Sequence, residues 1–124
     1  MSEKKYSKDH EWIQVDGDCA TIGITDHAQE SLGDIVFVDL PEMKKVVKAG
    51  DEVSIIESVK AASAIYTPID GEIIEINQNL ANDAALINQS AEENGWIFKL
   101  KISNQSQLNN LMTLAQYEEF LKQE

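Results

Sequence analysis

Ile55-Ile56-Glu57-Ser58-Val59-Lys60-Ala61-Ala62-Ser63 is the stretch on which the fold turns. A β-like run through Glu52–Glu57 approaches Lys60 and a second, Ala62–Thr67, leaves it toward Pro68, so the chain reverses tightly with neither Gly nor Pro at hand. A rigid hairpin of this kind holds Lys60 outward at its tip, and the small alanines that follow leave the amine accessible. Spacing alone favours an ordinary solvated lysine, one of the 10 basic residues of the chain, and the geometry suggests a presentation site without establishing it.

The surrounding sequence repeats the same rhythm of short runs rich in Val, Ile, Thr and aromatics between turn signals, the pattern of an all-β domain. Asp16-Gly17 predicts a type I′ turn joining Trp12–Val15 to Cys19–Ile24, because that turn needs positive φ values that Asp and Gly tolerate. Thr25 is placed to cap a short helix with Ala28 and Leu32 on one face and Gly33 at its end. Ile35–Leu40 reads as a strand halted by Pro41, and Lys44-Lys45 to Lys48 as a solvated basic loop. Asp70-Gly71 turns the chain into Glu72–Asn77. In the last strand Trp96, Phe98, Leu100 and Ile102 point to one face, Lys99 and Lys101 to the other. Leu108, Leu111 and Met112 have helical spacing, and Thr113 with Gln116 predicts a capping box that opens a second terminal helix through Tyr117, Phe120 and Leu121. No linker or low-complexity segment interrupts the 124 residues, which read as one domain over 1–124.

Composition narrows the functions open to such a domain. Ten basic against 22 acidic side chains leave a formal charge of −12, and the chain contains no Arg, which argues against binding a phosphate backbone. The longest apolar runs, Ile35 to Val38 and Ala84 to Ile87, are far too short for a bilayer span or a signal-peptide core. A protein that touches neither nucleic acid nor membrane is expected, in the cytoplasm, with Cys19 alone and reduced. The acidic surface serves solubility or a partner with basic docking patches.

Candidate reactive residues are few. His10 and Glu11 could be drawn as a base and its orienting carboxylate, but neighbours on a strand face opposite ways and no nucleophile accompanies them. His27 falls in the helical turn after its cap, where surface or edge packing is expected. The carboxylates are scattered, so no pair takes acid and base roles. Cys19 reads as a small core residue, His10, His27 and Cys19 lack zinc spacing, and the six glycines form no phosphate loop. No catalytic or metal-binding residue is expected.

At Glu57-Ser58-Val59-Lys60-Ala61 the chain resembles the lipoylation motif of glycine cleavage H proteins, in which the lysine carries lipoic acid in amide linkage. Further pieces resemble the family in order: His10-Glu11-Trp12, Gly23-Ile24-Thr25, Ala28-Gln29, Leu32-Gly33-Asp34, Leu40-Pro41-Glu42, Pro68-Ile69, Gly71-Glu72, Asn77, Leu86-Ile87-Asn88 and Gly95-Trp96. Biotinyl carriers usually place Met on both sides of the lysine, where Val59 and Ala61 stand here. The resemblance implies a lipoyl-type barrel-sandwich hybrid, mainly β, with short peripheral and C-terminal helices. It implies a carrier and not an enzyme, with Lys60 the attachment site and Glu57, Ser58, Val59 and Ala61 its motif; a mobile carrier is most useful as a monomer, which is expected here.

The implied partners are a pyridoxal-phosphate glycine decarboxylase that loads an aminomethyl group onto a lipoyl sulfur, an aminomethyltransferase that passes it to tetrahydrofolate with release of ammonia, and a dihydrolipoamide dehydrogenase that reoxidises the arm. A lipoate ligase or octanoyltransferase is implied for attachment. Tethering would raise the arm's effective concentration at each site. Glu11 matches a family position lining a cleft that shelters the loaded arm from water. The chain departs from the family's usual Ser at Asp9, Asp at Ala64, Pro at Ala84 and Pro-Tyr-Gly at Ala91-Glu92-Glu93, which alters that cleft and loop. Alternatives of other kinds are a lipoyl or octanoyl relay to other lipoyl domains, an unmodified β-sandwich binding module, and a small hydrolase using His10 and Glu11.

Overall fold

Two sheets pack face to face because each presents one row of branched apolar side chains. The computed structural model describes residues 3–123. Its strands are β1 (Glu3–Tyr6), β2 (Glu11–Asp16), β3 (Cys19–Ile24), β4 (Ile35–Asp39), β5 (Val46–Val47), β6 (Glu52–Ser58), β7 (Ala62–Tyr66), β8 (Gly71–Ile76) and β9 (Phe98–Ile102). One sheet has the order β1-β2-β3-β9-β8-β5 and the other β4-β6-β7, and every pair is antiparallel. Ile13, Ile22, Ile73, Phe98 and Leu100 from the larger sheet meet Ile35, Val38, Ile56 and Ile65 from the smaller in one buried cluster. Each such side chain contributes about 1.5–3 kcal/mol by leaving water. The molecule is therefore a mainly β lipoyl-type barrel-sandwich with short helices outside it, as the resemblance implies.

The helices are α1 (Asp26–Leu32), α2 (Asn79–Asn82), α3 (Leu86–Ser90) and α4 (Leu114–Lys122), with a 3₁₀ segment at Gln105–Asn110. Thr25 caps α1 by accepting from Ala28 N, and Gly33 ends it at φ 81°. Thr113 and Gln116 form the expected capping box of α4, which packs Tyr117 on Tyr6 and Trp12 in a second buried cluster.

Several local expectations are corrected. In the β2–β3 turn Gly17 has φ 66° while Asp18 stays at negative φ, which fits type II′ and not type I′, since only the latter needs both central residues positive. The basic stretch is not wholly loop: Val47 is buried, and β5 pairs with β8 while its lysines reach water. Trp96 lies outside β9 and is half-buried against the aromatic cluster, and Ile97 takes the core position beside Phe98. The alternation breaks there because Asn77 Nδ2 donates to the carbonyls of Asn94 and Trp96, fixing an irregular entry to the strand. Leu108 sits in the 3₁₀ turn, whereas Leu111 is extended and Met112 exchanges both backbone hydrogen bonds with Tyr6. His10 is no strand residue; it occupies the β1–β2 turn at φ 66°. Among the described residues no helix is long and apolar enough to cross a membrane.

Candidate functional site

The β6–β7 turn solves its reversal without glycine. Ser58 N donates to Ala61 O at 2.7 Å, closing the hairpin, and neither Val59 nor Lys60 has positive φ. The three amides of the tip each find an acceptor. Lys60 N and Ala61 N donate to Ser58 Oγ at 3.3 and 3.1 Å, and Val59 N donates to the Asp34 carbonyl at 3.0 Å. Ser58 Oγ in turn donates to Ala61 O. One hydroxyl thus does locally what positive-φ residues do in ordinary tight hairpins, while a carbonyl from another strand connection clamps the turn from outside. Lys60 is exposed, as are Glu57, Val59 and Ala61, so the tip is rigid in backbone and open in side chain.

The clamp rests on α3. Asn88 Oδ1 accepts from Ile35 N at 2.8 Å, and its Nδ2 donates to Gly33 O at 2.8 Å and to Gln29 Oε1 at 2.9 Å. One side chain therefore fixes the connection on both sides of Asp34, whose carbonyl holds Val59. Gly33 takes a backbone conformation at φ 81° and ψ −151° that only glycine adopts without strain, and the Lys60 stem runs over it. A Cβ built on Gly33 would stand 3.6 Å from Lys60 Cε.

Beside the tip a cleft of about 320 Å³ opens between α1 and β7. Its walls are apolar, from Ile24, Ala28, Leu32 and Ile65, and Leu32 and Ser63 bring it to within a few residues of Gly33 and Lys60. The far end is polar. Asp9, His10 and His27 line it, with the two imidazoles 4.9 Å apart and His10 Nδ1 2.8 Å from the Tyr117 hydroxyl, which also meets Thr25 Oγ1 at 2.8 Å. Among the described residues no group of three or more His, Cys, Asp or Glu side chains could hold a metal ion.

Glu11 stands behind this cleft and is not among its lining residues. It is 1% exposed, and its carboxylate accepts from Ser7 Oγ at 2.8 Å and from Tyr66 N at 3.1 Å, tying the β1–β2 turn to the end of β7. Burial pushes its carboxyl up to about 7, against the opposing pull of those two donors, and Asp9 adds a smaller push upward. Sequence reasoning points to Lys60, Ser58 and their neighbours at the tip but misses Asn88 as a brace and the carbonyl of Asp34. Side chains that act on a neighbour's backbone leave no spacing signal; Asn88 was visible only as part of an ordered family motif.

The model of the family described as "Glycine cleavage H-protein" matches residues 4–124. A glycine cleavage system H protein of Parvibaculum lavamentivorans is 50% identical over 122 residues, covering 98% of both chains, and one of Thermotoga maritima is 49% identical over 124 residues, covering all of both. Among solved structures, the crystal structure of a glycine cleavage system H protein from Mycobacterium marinum superposes with a TM-score of 0.88 at 33% identity over 97% of each chain. With a family model spanning almost the whole chain and relatives near half identity end to end, the protein belongs to the glycine cleavage H-protein family.

Proposed function

We propose that this chain is the lipoyl carrier of a glycine cleavage system and that Lys60 bears the arm. The observation that carries the reading is the tip itself: an exposed amine on a turn whose three amides are all bonded, placed beside an apolar-walled cleft. These residues fit a lipoyl group, because the amine is open to acylation and Ile24, Ala28, Leu32 and Ile65 offer a wall for an alkyl chain. When attached, lipoate supplies the disulfide sulfur that takes up the aminomethyl group.

The chain's own residues present, hold and shelter. Ser58 and Asp34 keep the anchor point fixed, so the search of the arm is confined to its own length. The apolar wall of the cleft excludes water, and Asp9, His10 and His27 supply the polar groups at its far end. Glu11 is a positioning residue: it holds Tyr66, and with it β7, against the turn that carries Asp9 and His10. Replacing it by Ala should shorten the lifetime of the loaded carrier, measured as spontaneous aminomethyl release; an unchanged rate would remove Glu11 from this role.

The protein itself performs no bond chemistry in this reading. It takes its arm from a lipoate ligase or octanoyltransferase and serves the decarboxylase, the aminomethyltransferase and the dihydrolipoamide dehydrogenase in turn, as a monomer of one domain in the cytoplasm. Reconstitution tests it. Lipoylated protein with those partners should support glycine-dependent release of carbon dioxide, and Lys60→Arg protein should not. Failure of the lipoylated protein, combined with donation of its lipoyl group to other lipoyl domains, would replace the carrier reading with a relay.

A further inference from the structure

The smaller sheet leaves one face uncovered beside Lys60. Ile35, Val38 and Ile56 point into the core, so Phe37 opposite Glu57 and Asp39 opposite Ile55 point outward, continued on β7 by Ala62 and Ala64. A regular strand would expose only alternate residues. Here β4 shifts register between Ile35 and Phe37, placing an extra residue opposite the β6 segment Glu57-Ser58, and Val36 and Phe37 are consecutively exposed at 59% and 52%. Val59, 69% exposed, extends this apolar surface to the tip, because its amide is bonded to Asp34, one residue before β4.

The charge of this surface is mainly acidic: Glu57, opposite Phe37 on the central strand, and Asp39 lie within it, and Asp34 precedes β4, with Lys45 near the Asp39 end and Lys60 at the tip. Apolar side chains interspersed with carboxylates next to an exposed amine fit a protein partner that offers apolar contact together with basic side chains. A partner that brings an activated acyl group onto the Lys60 amine must cover the ground around it, and Phe37, opposite Glu57 with the small Ala62 beyond on β7, is the large side chain exposed there.

We propose that the outer face of β4, β6 and β7, centred on Phe37 and Val36, is the docking surface for the enzyme that acylates Lys60. The inference rests on the reading of Lys60 as the acyl acceptor. In the step served, the neutral Lys60 amine attacks the acyl carbon of a lipoyl adenylate. The C–N bond forms, the C–O bond to AMP breaks with its electron pair leaving on AMP, and the amine proton passes to solvent with no change of oxidation state.

The test uses the whole chain with a purified lipoate ligase, lipoic acid and ATP, following the adduct by intact mass. Phe37→Ser should lower kcat/KM for acylation about tenfold, chiefly through KM, with Val36→Ser having a smaller effect of the same kind. Val46→Ser, more exposed at 70% but on β5 of the other sheet, should change nothing. Lys60→Ala protein, which keeps the surface and lacks the amine, should inhibit wild-type acylation competitively, and adding Phe37→Ser should weaken that inhibition by a similar factor. Raising ionic strength should weaken it as well. Acylation of Phe37→Ser at the wild-type rate overturns the docking surface, as does undiminished inhibition by the double variant. A wild-type protein left unacylated at Lys60 overturns the carrier reading and the docking surface with it.

Discussion

Two hairpins in this molecule have turns of the same size and opposite construction. Between β2 and β3, Asp16 pairs with Cys19 and the two intervening residues turn through Gly17 at φ 66°, in an exposed loop braced on its outer side by Gln105 Nε2 on the Gly17 carbonyl. Between β6 and β7, Ser58 is closed on Ala61 with no positive φ, and the turn depends on the Ser58 hydroxyl and on a carbonyl brought from the α1–β4 connection. The first turn is set by its own backbone preferences. The second is set by the fold around it, and only there does an exposed side chain inherit a fixed position in the molecule.

The difference predicts how the two respond to substitution. The largest effect should come from Glu11 on β2, which holds the far end of the lysine hairpin at Tyr66. Its folded pKa of about 7 lies above its ordinary 4.5, so between those values the folded protein holds a proton that the unfolded chain has lost. Stability should therefore be greatest below about pH 4.5 as far as this group is concerned, fall as pH rises through 7, and level off above, by roughly 3 kcal/mol in all. Glu11→Gln keeps an acceptor oxygen for Tyr66 N but removes the titration, and should flatten that slope in denaturant unfolding followed across pH.

Next in size is Asn88→Ala, which strips Ile35 N, Gly33 O and Gln29 of a shared partner and should cost about 2 kcal/mol in chemical denaturation. It should also slow acylation of Lys60, although residue 88 lies far from the lysine in sequence, because Asp34 is no longer held. Ser58→Ala should cost about 1 kcal/mol, water taking over for the lost hydroxyl, but should slow acylation several-fold by loosening the tip. Gly17→Ala should cost a similar 1 kcal/mol through its positive φ and leave acylation untouched. If Gly17→Ala slowed acylation as much as Ser58→Ala, the two hairpins would not differ in the way their bonding indicates.

What was legible in the sequence follows the same division. Thr25, Gly33, Thr113 and Gln116 carry their message in residues adjacent along the chain, and the structure has both caps where the spacing puts them. β5 and the irregular entry at Trp96 were decided by partners distant in sequence: Ile73 on β8 and the Asn77 amide. The 3₁₀ turn displaced a predicted helix because Met112 is drawn out of helical register by its two bonds to Tyr6. At the site, Lys60 and Ser58 could be read from the quoted stretch, whereas Asn88 and the Asp34 carbonyl could not, since a brace acting through backbone atoms is visible only once the chain is folded. Glu11, which the resemblance implies lines the cleft, stands behind it, its carboxylate bonded to Ser7 and Tyr66.

The central claim is that the tip of β6–β7 exists to present one amine for modification. Peptide mapping of protein isolated from cells that synthesise lipoate tests it most directly. The account predicts a lipoyl adduct on the peptide containing Lys60, on no other lysine, and absent from Lys60→Arg protein. Consistently unmodified Lys60 in such cells, or an adduct on a different lysine, would contradict it.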